Sequence, residues 1–462
     1  MAPLPKEFID SLRAAIGGRA QDVLDALESE DGVVGVRVNP AKMEPGALCS
    51  RFGVGAQPVP WRADAFFLDS RPTFALDPLF HAGAYYVQDP SAMMVGTIAD
   101  SLIAQSDSPL RILDLCAAPG GKSTCLASVL RGGDVLVSNE VIGSRASILA
   151  ENMVKWGNPN TIVTNNDPKD FARLAASFDI ILADVPCSGE GMFRKDPEAL
   201  AQWSPENVKL CAARQRRIVA DVWPALKEGG WLLYSTCTFN SSENDGNVEW
   251  ICRELGAEVV LLSNAPHSFC RQSEPDSLPV EGAVETRCGL QLGMGLTRGE
   301  GQYVALLRKT SAQKAGPQPR VGKPSRKVPC DWLESGVAAY EQSTSAGIML
   351  KAYPEQTEAQ LRFFESSLRA IRSGVAVAYV KGRDLVPQTD LALSRVFRRE
   401  AFAQVELTRD QALQFLRCAA LQLPDAPRGF NAVTYERVPL GFVKNLGNRA
   451  NNLFPQAWRL RM

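Results

Sequence analysis

Two short segments place a cysteine just past what reads as the end of a β-strand: Asp184-Val185-Pro186-Cys187-Ser188-Gly189 and Tyr234-Ser235-Thr236-Cys237-Thr238. A thiolate is a strong nucleophile, yet at its free pKa only a few per cent of a cysteine is ionised at pH 7, so such a residue needs activation. A lone cysteine is more often a small buried hydrophobe. Two at the tips of adjacent strands, one behind Asp-x-Pro, form a far more specific constellation, because both could face one pocket. Histidine offers little competition. The chain has only His81 and His267, which excludes most His-dependent catalysis, a Ser-His-Asp triad included, unless one of these two serves. Acid–base and nucleophilic chemistry therefore falls to Cys, Asp, Glu or Lys.

A third segment, Asp114-Leu115-Cys116-Ala117-Ala118-Pro119-Gly120-Gly121-Lys122-Ser123, also leaves a strand and enters a helix. Its small residues let a ligand approach the backbone, and the helix N-terminus that follows offers free N–H groups. It is not a phosphate-binding P-loop, because the position five before Gly121 is Cys116 rather than glycine. The G-x-G-x-x-G dinucleotide fingerprint is absent too. The next strand ends at Glu140, about 20 residues on, which suits hydrogen bonding to a ribose diol. The strand after that runs into Asn166-Asp167, which could accept from an adenine amino group. Either acid alone reads as a surface turn or helix cap. Their succession at consecutive strand ends implies a nucleoside cofactor.

These residues need a sheet to hold them. From about 108 to 262 short apolar strands alternate with helices: strands over Leu110–Leu115, Asp134–Asn139, Thr161–Asn165, Phe178–Ala183 and Trp231–Ser235, helices over Ser123–Leu130, Ser144–Trp156, Pro205–Leu226 and Glu243–Leu255. Such a βαβ series predicts a parallel sheet covered on both faces. Its ligands bind beyond the carboxyl ends of the strands, where the strand order reverses. Gln302–Arg308 supplies a further strand. Upstream, Phe8, Leu12 and Ile16 mark a helix ending at Gly17-Gly18, and Val33–Val38 a strand stopped by Pro40. Thr310–Val328, rich in Pro, Gly, Ser and Lys, reads as a linker, and residues 330–462 as one or two small domains.

With 462 residues, 45% of them apolar and 22% charged, the chain has the composition of a globular protein and needs two to four cores. Glu7 and Asp10 near the start argue against a secretory or transit signal, and no stretch approaches the roughly 20 apolar residues of a membrane helix. A cytoplasmic protein is expected. Eleven cysteines, an odd number with no CxxC pair, suggest neither a disulfide framework nor a zinc site, and no metal is expected. Cys270 follows His267 by three residues, but nothing completes a ligand set. The net charge of −1 announces no nucleic-acid partner. Locally, Arg308, Lys309, Lys314, Arg320, Lys323, Arg326 and Lys327 form one acid-free stretch, and Arg437, Lys444, Arg449, Arg459 and Arg461 another. They can form a phosphate-binding face or simply a solubilising linker and a solvated tail.

Taken together, the Asp114–Ser123, Asp184–Gly189 and Ser235–Phe239 segments resemble motifs I, IV and VI of the NOL1/NOP2/Sun RNA cytosine-5 methyltransferases. Arg37-Val38-Asn39-Pro40 and Tyr86-Val87-Gln88-Asp89-Pro90-Ser91 are similar to that family's N-terminal extension. The run Val438-Pro439-Leu440-Gly441 through Gly447-Asn448-Arg449, Asn452-Leu453-Phe454-Pro455 and Trp458 resembles the PUA-like RNA-binding domain of one bacterial branch, the F-type small-subunit enzymes. The resemblance spans nearly the whole chain and is strongest from 80 to 309.

It implies an α/β fold: a Rossmann-like S-adenosylmethionine (SAM)-dependent methyltransferase domain with an N-terminal extension and a C-terminal PUA-like region. The expected division is 1–70, 71–309, a basic linker at 310–329, a first C-terminal domain at 330–395 and the PUA-like domain at 396–462. It also implies methylation of cytosine C5 in RNA, with 16S ribosomal RNA near the decoding site as substrate; the alternatives are a tRNA substrate and a non-catalytic RNA-binding ribosome-assembly factor. Nothing in the sequence demands a partner chain, so a monomer is expected. Cys237 would be the nucleophile that adds to C6. Cys187 would assist loss of the C5 proton and release of the product, and Asp184 would hold the N3/N4 edge of the base. Cys116, Ala117, Ala118, Pro119, Gly120, Gly121, Lys122, Glu140, Asp167 and Asp184 would hold the cofactor, with Lys122 also favouring a thiolate nearby. Asp89 and Asp245 stand where relatives often have Glu, and Gly293-Met294 replaces a Pro-His upstream of Gly299-Glu300-Gly301.

Overall fold

Five strands are buried along most of their length and must lie in a sheet covered on both faces. In spatial order they are Leu226–Thr236, Phe178–Asp184, Arg111–Asp114, Val135–Asn139 and Thr161–Thr164, all parallel. The order reverses on either side of Arg111–Asp114, which puts the switch-point crevice at the carboxyl end of that strand. The computed structural model describes residues 3–28, 32–52, 56–264, 280–316, 326–345, 347–382 and 384–461. Within them the full sheet has ten strands. Gly301–Lys309 pairs antiparallel with Leu226–Thr236 and is followed outward by Leu290–Gly293 and Val284–Glu285. At the opposite edge Ala370–Ser373 pairs antiparallel with Thr161–Thr164. The Rossmann-like α/β fold expected from the motifs is therefore present, with an antiparallel strand closing each side of its parallel centre.

Two helices stop earlier than their periodicity suggests. The helix expected over Pro205–Leu226 ends at Val222, because Pro224 has no N–H to continue it, and Leu226 already begins the next strand. The one expected over Glu243–Leu255 is α-helical only from Asp245 to Ile251 and finishes in a π-turn at Cys252–Gly256. Of the Thr310–Val328 stretch, residues 317–325 lie outside those described, and Lys327–Val328 form an edge strand against Ala339 and Tyr340. His267 and Cys270 lie outside them as well.

Three smaller units pack around the central sheet. An antiparallel four-stranded sheet (Gln57–Val59, Arg62–Leu68, Val34–Val38, Tyr85–Val87) shares one hydrophobic core with the C-terminal sheet (Ala403–Glu406, Gly429–Tyr435, Val438–Asn445, Ala450–Asn452). Arg51 ties the two together through Asp77 at 2.6 Å and Glu436 at 2.7 Å. A third, five-stranded antiparallel sheet runs from Lys327 to Pro387. Its neighbouring helix, Glu358–Ser367, stacks Phe364 on Phe178 with ring centroids 5.1 Å apart. The N-terminal helices Lys6–Ile16 and Ala20–Glu28 bury Phe8, Leu12 and Val23 against Phe193, Trp203 and Phe239, the residues that back the two cysteine loops.

Arg37 shows how the N-terminal sheet is locked to the glycine-loop helix. Its guanidinium is wholly buried and donates to Thr124 Oγ1 at 2.7 Å, Ser128 Oγ at 3.0 Å and Gln88 Oε1 at 3.2 Å, while lying over Trp156 at 4.6 Å. Burial without an adjacent counter-ion lowers its pKa. Arg37→Ala should remove these donors and open a cavity beside Trp156, costing about 3 kcal/mol. Thermal denaturation checks this, and an unchanged midpoint would show that the guanidinium does not brace the helix.

Candidate active site

The first wall of the switch-point crevice is the turn from Arg111–Asp114 into the helix Gly121–Val129. Arg145 holds this turn by donating to the Ala118 carbonyl at 2.8 Å, and Asn152 does so at the Pro119 carbonyl, also at 2.8 Å. Gly120, at φ 116°, starts the helix in the left-handed region that favours glycine and makes no side-chain cap. Asp114 is completely buried. One carboxylate oxygen accepts from Ser123 Oγ at 2.6 Å, whereas Oδ1 has no partner. Burial, only partly relieved by Ser123, pushes Asp114 up to about 7.

Asn139, fully buried at the end of its strand, joins three strand ends. It donates to the carbonyls of Leu115 (3.1 Å) and Asn166 (3.0 Å) and accepts from the Asn166 amide (3.0 Å). Glu140 follows it, nearly buried, with Oε1 accepting from Ile142 N at 2.9 Å and Oε2 3.5 Å from Arg145. Asp167 caps the 3₁₀ turn Pro168–Leu174 through Lys169 N, so the helix-cap reading of this residue also holds. Asn166 turns away from the crevice and accepts from Arg369 N at 3.1 Å, beside the edge strand Ala370–Ser373.

A cavity of about 430 Å³ opens above these strand ends. Cys116, Ala118, Glu140, Asp167, Asp184, Cys187 and Cys237 line it, but Ala117, Pro119, Gly120, Gly121 and Lys122 do not. Ala117 is spent on the sheet, donating its amide to the Asn139 carbonyl at 2.8 Å. Pro186 of the Asp-x-Pro segment and residues without a recognisable signal in the sequence complete the wall: Val141 and Ile142, about half exposed, with Arg145, Arg214 and Ile218. The volume is that of a small-molecule site. Its lining fits a nucleoside sulfonium: the carboxylates Glu140 and Asp167, with apolar faces on Ile142 and Pro186.

At the far end of this cavity the two cysteines meet. Parallel pairing sets Asp184 opposite Ser235, which carries both loops out of the sheet side by side, and Cys187 Sγ lies 3.3 Å from Cys237 Sγ. A buried polar network fixes the loops to each other. Glu243 accepts from Ser188 N at 3.0 Å, Gln215 Nε2 at 2.6 Å and Asn240 Nδ2 at 2.8 Å. Glu190 accepts from Phe239 N, Asn240 N, Asn240 Nδ2 and Trp203 Nε1, all between 2.8 and 3.0 Å. Asp184 is gripped on both oxygens, by Lys122 Nζ at 2.8 Å and Ser235 Oγ at 3.0 Å, and Gln302 donates in turn to Ser235. The only sequence hint of this network is two carboxylates close behind the cysteines.

The thiols differ in acidity because they share a proton. The Cys187 hydrogen bond lowers the Cys237 pKa, with help from Lys122, against the opposing pull of burial and Asp184. Cys187 is raised well above its ordinary value by the same bond and by burial. Cys116, by contrast, is pushed up by burial and by Asp114. Iodoacetamide should therefore label Cys237 faster as pH rises, with a midpoint below that of a free thiol. Cys187→Ala should move that midpoint upwards. A midpoint that does not respond would mean the 3.3 Å contact does not poise the thiolate.

Comparison with known proteins covers the whole chain. A model described as 16S rRNA methyltransferase RsmB/F matches residues 102–273. The N-terminal domain of 16S rRNA methyltransferase RsmF matches 4–90, and the methyltransferase RsmF PUA domain matches 402–460. The ribosomal RNA small subunit methyltransferase F of Klebsiella pneumoniae is 31% identical over 474 residues, covering 98% of this chain and 96% of that protein. Its counterpart in Cronobacter sakazakii is 30% identical over 487 residues with the same coverage. Among solved structures, a methyltransferase homologue from Pyrococcus horikoshii is 25% identical with a TM-score of 0.53, over 66% of this chain and 95% of its own. NSun6 from the same organism, at 18% identity and a TM-score of 0.54 over 66% of this chain and 98% of its own, shares the fold.

Proposed function

The chain belongs to the ribosomal RNA small subunit methyltransferase F family of SAM-dependent RNA methyltransferases, and from that membership we propose that it methylates C5 of cytosine in 16S rRNA through a covalent Cys237–C6 adduct. The observation that carries the proposal is the Cys187–Cys237 pair, 3.3 Å apart in a cavity that Glu140 and Asp167 also line.

Cytosine C5 is a poor nucleophile. Addition of the Cys237 thiolate to C6 forms a C–S bond and makes C5 enamine-like, so that electron density is available there. Asp184, positioned by Lys122 and Ser235, holds the N3/N4 edge where charge builds as sulfur adds. Cys116, Glu140 and Asp167 would hold the cofactor, on the side of the cavity that Asp184 shares. When bound, SAM supplies the electrophilic methyl group that C5 accepts. The C5 proton then leaves to solvent with the help of Cys187, the C5–H electron pair restores the C5–C6 double bond, and sulfur departs from C6 as the Cys237 thiolate, so that the ring regains aromaticity. Lys122 acts one step removed, by pairing with Asp184 and favouring the Cys237 thiolate.

The target base must leave any stack to enter the cavity, so flexible or single-stranded RNA is the substrate geometry. The N-terminal residues 1–70 and the PUA-like residues 396–462, on either side of one shared core, provide grip outside the pocket. Residues 71–309 carry the chemistry, 310–329 the connection and 330–395 the brace on the sheet edge. Among the described residues no helix is long and apolar enough to cross a membrane.

Transfer of tritiated methyl from SAM to small ribosomal subunits, to naked 16S rRNA and to tRNA, followed by digestion to nucleosides, tests the reading. Label in 5-methylcytidine from either 16S substrate supports it. Label from tRNA alone would keep the chemistry and replace the substrate; label in another nucleoside would sink the proposal.

A further inference from the structure

The helix Pro205–Val222 carries the sequence Arg214-Gln215-Arg216-Arg217, and its four side chains take different directions. Gln215 points inwards. Fully buried, it donates to Glu243 at 2.6 Å and to the Pro186 carbonyl at 3.1 Å, and accepts from Asn247 at 2.6 Å and Tyr234 at 3.0 Å. These bonds fix the rotation of the helix. Arg216 is thereby directed to Asn247, at 2.7 Å, and to the Trp250 ring. Arg214 and Arg217, three residues apart and hence on one face, are left at the wall of the cavity that holds Cys187 and Cys237. Both are exposed; Arg214 has no ion pair among the described residues, and Arg217 shares only a surface pair with Asp221. Leu210, one turn earlier on the same face, is 65% exposed.

We propose that Arg214 and Arg217 clamp a backbone phosphate of the RNA beside the base held at Cys237, with Leu210 resting on the adjoining nucleotide. This rests on the function proposed above. A base extruded into the cavity leaves its own phosphate outside, at the lip, because the carboxylates Glu140, Asp167 and Asp184 line the interior and repel an anion. The lip is where a cation is useful. A guanidinium fork matches two phosphate oxygens, and two of them one turn apart can grip a phosphate from two sides. Nothing in the packing of the helix requires either arginine, since its buried face is Val208, Cys211, Ala212, Gln215, Ile218, Val219 and Val222. The competing anion is the carboxylate of the cofactor, which the test separates.

The experiment measures anisotropy of a short fluorescein-labelled single-stranded RNA carrying one cytosine, across a KCl titration, for wild type, Arg214→Gln, Arg217→Gln and the double variant. Calorimetry gives SAM affinity for each. The slope of log affinity against log salt should become shallower by about 0.7 for the double variant, which loses the one phosphate contact, and by part of that for each single variant, with SAM affinity unchanged within about twofold. Arg214→Lys keeps a point charge and should keep the slope while weakening binding, which guards against a folding defect in the glutamine variants. Unchanged slopes in both single variants overturn the proposal, whatever happens to SAM. So does a loss of SAM affinity with RNA binding intact. Because binding is read without turnover, a wild type that binds RNA but leaves cytosine unmethylated would sink the reaction and not this contact.

Discussion

Cys237→Ala is expected to bind SAM as wild type does and to transfer methyl at least about a thousandfold more slowly. The size follows from what sulfur does. Without a nucleophile at C6, C5 never gains the electron density needed to attack, and no other thiol can replace it. Cys187 is close enough, but its acidity is suppressed by burial and by its bond to Cys237. Cys116, at the cofactor wall, is pushed up as well. Cofactor affinity should be spared because Cys237 lies at the opposite end of the cavity wall from Glu140 and Asp167 in the strand order, beyond Asp184. Single-turnover assays with labelled SAM, alongside calorimetry, read both halves. Turnover near the wild-type rate would remove Cys237 from the nucleophile's role, and loss of SAM binding would place it in the cofactor site instead.

The second large effect is expected from Cys187→Ala: a protein–RNA adduct that survives denaturing gels, with turnover down at least about a hundredfold. Cys187 Sγ lies 3.3 Å from the attacking sulfur, and that contact together with burial raises its own pKa well above the ordinary value. Its removal slows addition, because Cys237 loses the hydrogen bond that favours its thiolate. Release suffers more, since the C5 proton then has no assistant and the C–S bond cannot break until that proton has gone. The methylated base therefore stays attached. The double variant Cys187→Ala/Cys237→Ala should show no adduct, which identifies the sulfur involved. Normal turnover without an adduct in Cys187→Ala would assign proton removal to another group.

Much of this site is legible in the amino-acid sequence because it depends on local rules. Strand ends and glycine turns have sequence signatures, so the order of residues alone places Asp114, Glu140, Asp184 and Cys237 at the tips of a parallel sheet. What escapes such a reading is contact between distant segments. Gln215 sits in a helix of mixed composition, and its bonds to Glu243 and Pro186 exist only because the helix returns over the cysteine loops. Strand Ala370–Ser373 joins the sheet from far along the chain and begins beside Asn166; the short run Ala370-Ile371-Arg372-Ser373 gives no strand signal of its own. The glycine-loop residues divide by geometry: backbone direction turns Ala117 into the sheet, and Lys122 reaches Asp184 instead of the cavity. Gly293, at φ 141°, lies so close to Gly301 that an added Cβ would come within 2.7 Å of its Cα, which explains a glycine there.

RNA in which cytidine is replaced by 5-fluorocytidine tests the central claim most directly. Fluorine cannot leave C5 as the proton does, so the reaction should stop after methyl transfer with the base still bonded to sulfur. Mass spectrometry of the digested complex should then find, in the presence of SAM, a Cys237-containing peptide heavier by one fluorinated nucleotide and one methyl group. A stable adduct on Cys187, or normal methylation of ordinary RNA with no adduct on the fluorinated one, would contradict the account.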